Sequence, residues 1–201
     1  MMQDRSEIVA ASSQRLGAFH TEREAYLVSR VLHRDSRAFH ELYRSYRPRL
    51  TRFLTNLVSR PPLVEEVLND TMMVVWNRLE AFKGNSKLST WVFAIAYRKG
   101  MKALQRSDDP VEDNLLTASA SHEPGPEERA NHQWTHQALK RALAQLSPNH
   151  RIVVDLTYFH EMGYREIAEI MECPVDTVKT RMFHAKKQLK QILAGEKSDW
   201  L

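Results

Sequence analysis

Lys179, Thr180, Arg181, Phe183, His184 and Lys187 bring cations, a hydroxyl, an imidazole and an aromatic ring into nine consecutive residues. Groups of this kind suit phosphates and base edges, provided a scaffold displays them together. Val178, Met182, Ala185 and Leu189 run between them at i, i+4, i+7 and i+11, the buried stripe of an amphipathic helix. The six candidates fall largely outside that stripe. Just upstream, Tyr164 to Met171 is a shorter amphipathic helix with Ile167, Ala168 and Met171 on one face. Glu172-Cys173-Pro174 separates the two, because proline is poorly accommodated inside a helix. Asp176 or Thr177 is expected to cap the second helix. The small Ala168 lets the helices cross closely, and Val178, ten residues on, plugs the corner between them. This is the spacing of a helix-turn-helix, whose second helix enters a major groove N-terminal end first. Lys179 and Arg181 are placed for guanine edges or phosphates, and Lys186, Lys187 and Lys190 for the backbone. The turn carries Glu172 where glycine is usual; in a left-handed conformation that costs about 1 kcal/mol.

A second constellation lies earlier. Arg98, Lys102 and Arg106 repeat every four residues on the outer side of a helix whose inner side is Trp91, Val92, Ile95 and Ala96. Ahead of it runs the polar stretch Phe82-Lys83-Gly84-Asn85-Ser86-Lys87. A loop able to cup an unstacked base, followed by a cationic stripe able to track phosphates, suits single-stranded DNA. Asn85, Lys87, Arg98, Lys102 and Arg106 are its candidate residues. The helix before the loop is predicted from about Leu63 to Phe82, with Val64, Val67, Leu68, Val75, Trp76 and Leu79 inward. Its outer stripe, Glu66, Asp70, Met73, Asn77 and Glu80, mixes acid with apolar surface. Before that, Phe39, Leu42, Tyr43 and Tyr46 form an apolar face at helical spacing.

The elements that must hold these groups are all helical. Glycine is scarce, with 6 in 201 residues, and no segment alternates with period two. Residues 107–130 break the pattern with Pro, Gly, Ser and seven acids against one base, and read as a linker. The expected organisation is all-α. Residues 1–19 form a flexible extension, 20–106 one small helical domain, 107–130 the acidic linker, 131–194 a second domain and 195–201 a tail. Lys and Arg outnumber acids by 18 to 10 before the linker and by 10 to 8 after it, which suggests two polyanion-binding modules on one tether. The single cysteine, Cys173, excludes a disulfide framework and a four-cysteine zinc site. His132 and His136 have helical metal-ligand spacing but lack the glutamate of an H-E-x-x-H arrangement. No enzyme chemistry, metal or small cofactor is implied. No stretch is apolar enough to span a membrane, and a cytoplasmic protein is expected.

Two stretches resemble extracytoplasmic-function (ECF) sigma factors of bacterial RNA polymerase. Leu146-Ser147-Pro148, Arg151, Val153 or Val154, Leu156, Gly163-Tyr164, Glu166-Ile167-Ala168 and Thr177-Val178-Lys179-Thr180-Arg181 resemble their region 4. The resemblance implies recognition of the minus-thirty-five promoter element. Residues 24–106, opening with Asp35 to Tyr46, are similar to region 2. That implies minus-ten reading and melting by the loop and basic stripe, and docking of Glu66, Asp70, Met73 and Asn77 on the β′ clamp helices. It also implies contact with the β subunit, promoter DNA as ligand, and a linker threading from the active-site cleft toward the RNA exit path. The chain departs from the family where the docking helix begins, with Leu63-Val64-Glu65-Glu66 in place of Asp-Ala-Glu-Asp, and Arg60-Pro61-Pro62 ahead of it. Negative charge is missing there. Thr51 lies among Arg47, Arg49 and Arg52, a context suited to a basophilic Ser/Thr kinase, and phosphate would bring about −1.5 to −2 charge. The resemblance extends to a subgroup controlled by such phosphorylation, with Thr55 the lesser candidate; elsewhere in the family the negative control is an anti-sigma factor. The competing reading is a conventional helix-turn-helix transcription factor with a helical sensing domain.

Overall fold

The computed structural model describes residues 22–58, 60–106 and 138–198. Among them there are helices and turns and no strand. The expected extension (1–19), linker (107–130), His132 and His136 lie outside the described residues. Apart from Glu169–Glu172, the described residues divide into two compact units, 22–106 and 138–198.

In the first unit, α1 spans Glu22–Leu32, α2 Ser36–Val58, α3 Pro61–Arg78 and α4 Leu88–Arg106, with a 3₁₀ turn at Leu79–Ala81 after α3. The long helix α2 is the centre, packing on α1, α3 and α4. Its buried residues Ala38, Leu42, Tyr46, Leu50, Phe53, Leu54, Leu57 and Val58 recur at helical spacing straight through Pro48. Asp35 starts α2: Oδ1 accepts from the N–H groups of Arg37 (2.9 Å) and Ala38 (3.1 Å). Those bonds and the Arg30 guanidinium hold its carboxyl below the usual carboxylate range. Gly100 on α4 abuts Leu57 of α2 so closely that a Cβ there would run into the leucine side chain.

Helix α3 begins two residues earlier than its predicted Leu63, because Pro61 and Pro62 occupy the first turn, where a missing N–H costs nothing. Its inward residues Val64, Val67, Leu68, Val75 and Leu79 are buried, joined by Thr71 and Met72. Trp76, expected inside, is half-buried beside Phe39 (centroids 4.9 Å apart). Trp91 differs in the same way, tilted against Phe82 at 5.6 Å while Val92, Ile95 and Ala96 are buried. Both indoles sit at the rim because rings of that size are seldom fully enclosed.

In the second unit, α5 covers residues 138–144, α6 Pro148–Tyr158, α7 Tyr164–Ile170 and α8 Val175–Ser198. Ser147 caps α6 by accepting from His150 N–H. Glu166 reaches back to the N–H of Gly163 (2.8 Å), one half of a capping box that starts α7. Ile167, Ala168 and Ile170 from α7, Met171 just after it, and Val178, Met182 and Ala185 from α8 are buried, and Leu189 is half-buried. Neither Asp176 nor Thr177 is the cap of α8. The helix starts at Val175, and the Pro174 carbonyl takes the N–H groups of Thr177 (3.0 Å) and Val178 (3.3 Å).

Candidate nucleic-acid and polymerase interfaces

Glu172 has φ 51°, the left-handed conformation its place in the turn predicts. Cys173 N–H bonds the Ala168 carbonyl (3.0 Å) and Glu172 N–H the Glu169 carbonyl (3.4 Å), the paired bonds of a Schellman motif with glutamate where glycine is favoured. The turn thus ends α7 and launches α8. From α8, Lys179, Thr180, Phe183, His184 and Lys187 are exposed, Phe183 by 64%. Lys179 pairs with Asp176 at 2.9 Å, an exposed contact that exchanges readily for phosphate. The Thr180 hydroxyl donates to the Asp176 carbonyl. Arg181 differs from the other five: it is half-buried, with Nη1 3.7 Å from Cys173 Sγ, turned back toward the loop. Lys186 lies 5.8 Å from the Tyr158 ring centroid, and the Tyr158 hydroxyl raises its pKa.

One neighbour of this face has no counterpart in the sequence reading. His150 at the start of α6 stacks on His184, centroids 6.2 Å apart and planes 27° apart. Phe183 meets His184 edge-on at 5.5 Å. Burial, then the adjacent His184 and Arg181, push the His150 pKa down, so the lower ring of the stack favours its neutral form.

In the first unit the outer stripe predicted for this helix is exposed along its length, Glu66, Asp70, Met73 and Asn77 on α3 and Glu80 in the turn after it, with Met73 58% exposed. Two carboxylates on or beside it are engaged. Asp70 accepts from Lys99 of α4 at 2.8 Å, and Glu65 pairs with Arg47 of α2 at 3.3 Å. The Tyr43 hydroxyl donates to Asn69 at 3.0 Å. The first turn of α3 holds no acid, and Arg60 stands at its N-cap, where the helix dipole disfavours a cation. On α4, Arg98, Lys102 and Arg106 are exposed, each about 6 Å along the axis from the next. The loop before α4 turns at Gly84 (φ 73°), which presents Asn85 outward, while Lys87 is half-buried at the helix start. Asn85 and the α4 cations therefore share one unit with the α3 stripe, on two helices that pack together.

The family models for sigma-70 region 2 and sigma-70 region 4 match residues 42–109 and 136–189. The ECF RNA polymerase sigma factor RpoE of Cereibacter sphaeroides is 29% identical over 160 residues, covering 79% of this chain and 88% of its own. RNA polymerase sigma factor YlaC of Bacillus subtilis is 26% identical, covering 83% and 97%. Among solved structures, the sigma factor RpoE of Bartonella quintana, in complex with the anti-sigma factor NepR, matches with TM-score 0.53 and 26% identity over 78% of this chain and 96% of that one. CnrH, in complex with the cytosolic domain of CnrY, shares the fold with TM-score 0.62 at 20% identity over 87% and 99%.

The chain belongs to the ECF sigma factors.

As an alternative sigma factor it is a non-enzymatic DNA-binding subunit that directs transcription initiation by RNA polymerase. No helix among the described residues is long and apolar enough to cross a membrane. Within the part matched by region 4, Arg151 acquires a structural reason. It is buried, and Nη2 donates to the carbonyls of Ala144 (2.7 Å) and Leu146 (3.2 Å), satisfying the C-terminal end of α5. Asp155 and His160 form a second buried pair nearby in sequence, Oδ2 to Nε2 3.2 Å. Spacing alone marks none of these three: Arg151 and Asp155 break the apolar pattern that identifies a buried helix face, and His160 follows the helix.

Proposed function

We propose that this sigma factor docks on the β′ clamp helices through Glu66, Asp70, Met73 and Asn77. The minus-ten strand is opened and read by Asn85, Lys87, Arg98, Lys102 and Arg106. The minus-thirty-five duplex is held by Lys179, Thr180, Phe183, His184 and Lys187, with Arg181 supporting the turn. The observation that carries this reading is that α3 and α4, packed on each other, each present an exposed stripe of a different character. One rigid body can then hold polymerase through acid and methionine and track a DNA strand through cations. The linker passes through the polymerase toward the RNA exit path, with contact to β, and the protein works in the cytoplasm, where promoter DNA and core polymerase are.

Control is assigned to phosphorylation of Thr51 by a Ser/Thr kinase. Thr51 is half-buried on α2, one helical turn beyond Arg47, which pairs with Glu65 of α3. A phosphate on Thr51 would compete for Arg47 and add negative charge to α2, which packs on α3, whose first turn holds no acid. Thr55 is less suited, because its hydroxyl donates to the Thr51 carbonyl. An anti-sigma factor, such as the NepR bound by the Bartonella quintana relative, is the other form of negative control.

Run-off transcription with core polymerase, on promoters found by genomic selection, tests both levels. Promoter-specific transcripts from the chain establish the mechanism. Activity confined to Thr51→Asp, with Thr51→Ala silent, supports the phosphate switch. Equal activity of all three forms removes the switch and leaves the anti-sigma factor. Tight operator binding without core, and no transcript from any form, would overturn the docking and melting roles.

A further inference from the structure

Arg34 ends α1 in a Schellman turn. Its N–H bonds the Val31 carbonyl (2.9 Å), the N–H of Asp35 bonds the Arg30 carbonyl (3.1 Å), and its φ is 61°. Glycine takes that position without strain, and a side chain there carries a cost. A strained residue directs attention to what its side chain does. Here the guanidinium reaches the last turn of α3: Nη1 donates to the Trp76 carbonyl (2.9 Å), and the group lies 5.7 Å from the Trp76 ring centroid. A cation on a carbonyl at the C-terminal end of a helix is favoured by the dipole, and its place by the indole adds a cation–π contact. The loop carrying Arg34 is itself fixed, because Asp35 both pairs with Arg30 and caps α2.

We propose that Arg34 is a positioning residue for the minus-ten reading loop. It fixes the end of α3 from which the Leu79–Ala81 turn departs. That turn is packed by α1 and closed by the Phe82 N–H to Leu79 carbonyl bond (3.0 Å). Phe82 then tilts against Trp91 and sets the entry to the loop that presents Asn85. Arg34 touches no DNA; it acts through the α3 terminus. The inference rests on reading that loop as the minus-ten element's partner.

Arg34→Gly separates position from stability, because glycine suits the left-handed turn and removes only the side chain. The test uses full-length protein in holoenzyme, on a promoter carrying 2-aminopurine in its minus-ten element. Arg34→Gly keeps the thermal midpoint and the affinity for core, yet opens the promoter about tenfold more slowly. Arg34→Lys recovers part of the rate, since an ammonium still donates to the Trp76 carbonyl but stacks less well on the ring. Opening by Arg34→Gly at the normal rate overturns the role, as does a loss of core affinity equal to the loss of opening. Asn85→Ala and Lys102→Gln test the underlying reading separately. If they slow opening and Arg34→Gly does not, only the role of Arg34 falls; if they leave opening unchanged, the reading of the loop falls and the role of Arg34 with it.

Discussion

Arg34, Glu161 and Glu172 share a backbone conformation that glycine adopts freely, with φ 61°, 54° and 51°. Each reverses the chain after a helix, and each carries a charged side chain where the backbone alone favours none. Glu172→Gly should therefore stabilise the helix-turn-helix by about 1 kcal/mol, read as a higher urea midpoint of the full chain. A lower midpoint would show that the glutamate side chain more than offsets its own strain. His150 makes the opposite kind of prediction. Its folded pKa lies below the ordinary 6.5, so between the two values the unfolded chain binds the proton more readily. Stability then falls as pH drops below 6.5, until the folded imidazole also titrates. Thermal midpoints measured from pH 7.5 down to about 5.5 should fall more for the native chain than for His150→Gln. Parallel curves would remove His150 as a source of that pH dependence.

At the scale of elements, the helices are held by side chains that leave their own helix. Arg151 belongs to α6 but satisfies carbonyls at the end of α5, and Asp35 lies between α1 and α2 while capping the second and pairing with the first. Arg151→Met keeps the apolar stem and removes the donors. It should cost roughly 2–4 kcal/mol, because buried carbonyls lose a charged partner. Urea unfolding that follows the second unit measures this, and a change under about 0.5 kcal/mol would mean the α5 end finds water instead. Helix α3 behaves differently. Its exposed methionine contributes little to the core, so Met73→Ala should leave the urea midpoint in place while weakening the affinity for core polymerase, measured by competition with another sigma factor. Unchanged affinity would take Met73 out of the docking surface.

Across the molecule, the basic excess of the first unit becomes a salt dependence. If Arg98, Lys102 and Arg106 each neutralise one phosphate of the opened strand, changing any one to glutamine lowers the slope of log affinity against log salt. The change is about 0.7 per contact, measured with holoenzyme on single-stranded minus-ten DNA; an unaltered slope would free that residue from the strand. Much of this protein was legible in its residues. The period of the apolar positions, with the Pro174 break, determined which segments are helices and which faces are outward. That is local information, because the i, i+3, i+4 repeat and the missing proline N–H act within one turn. That the outer stripe of α3, the basic stripe of α4 and the stripe of α8 face outward could be read for the same reason. What the sequence did not carry are the contacts across elements. These include Arg34 on Trp76, Asp70 held by Lys99, Arg47 by Glu65, Arg181 turned toward Cys173, and His150 beneath His184. Partners 8 to 42 residues apart meet only once helices have packed. Which charged groups stay available to polymerase and DNA, and which are already engaged, was therefore decided by the tertiary structure.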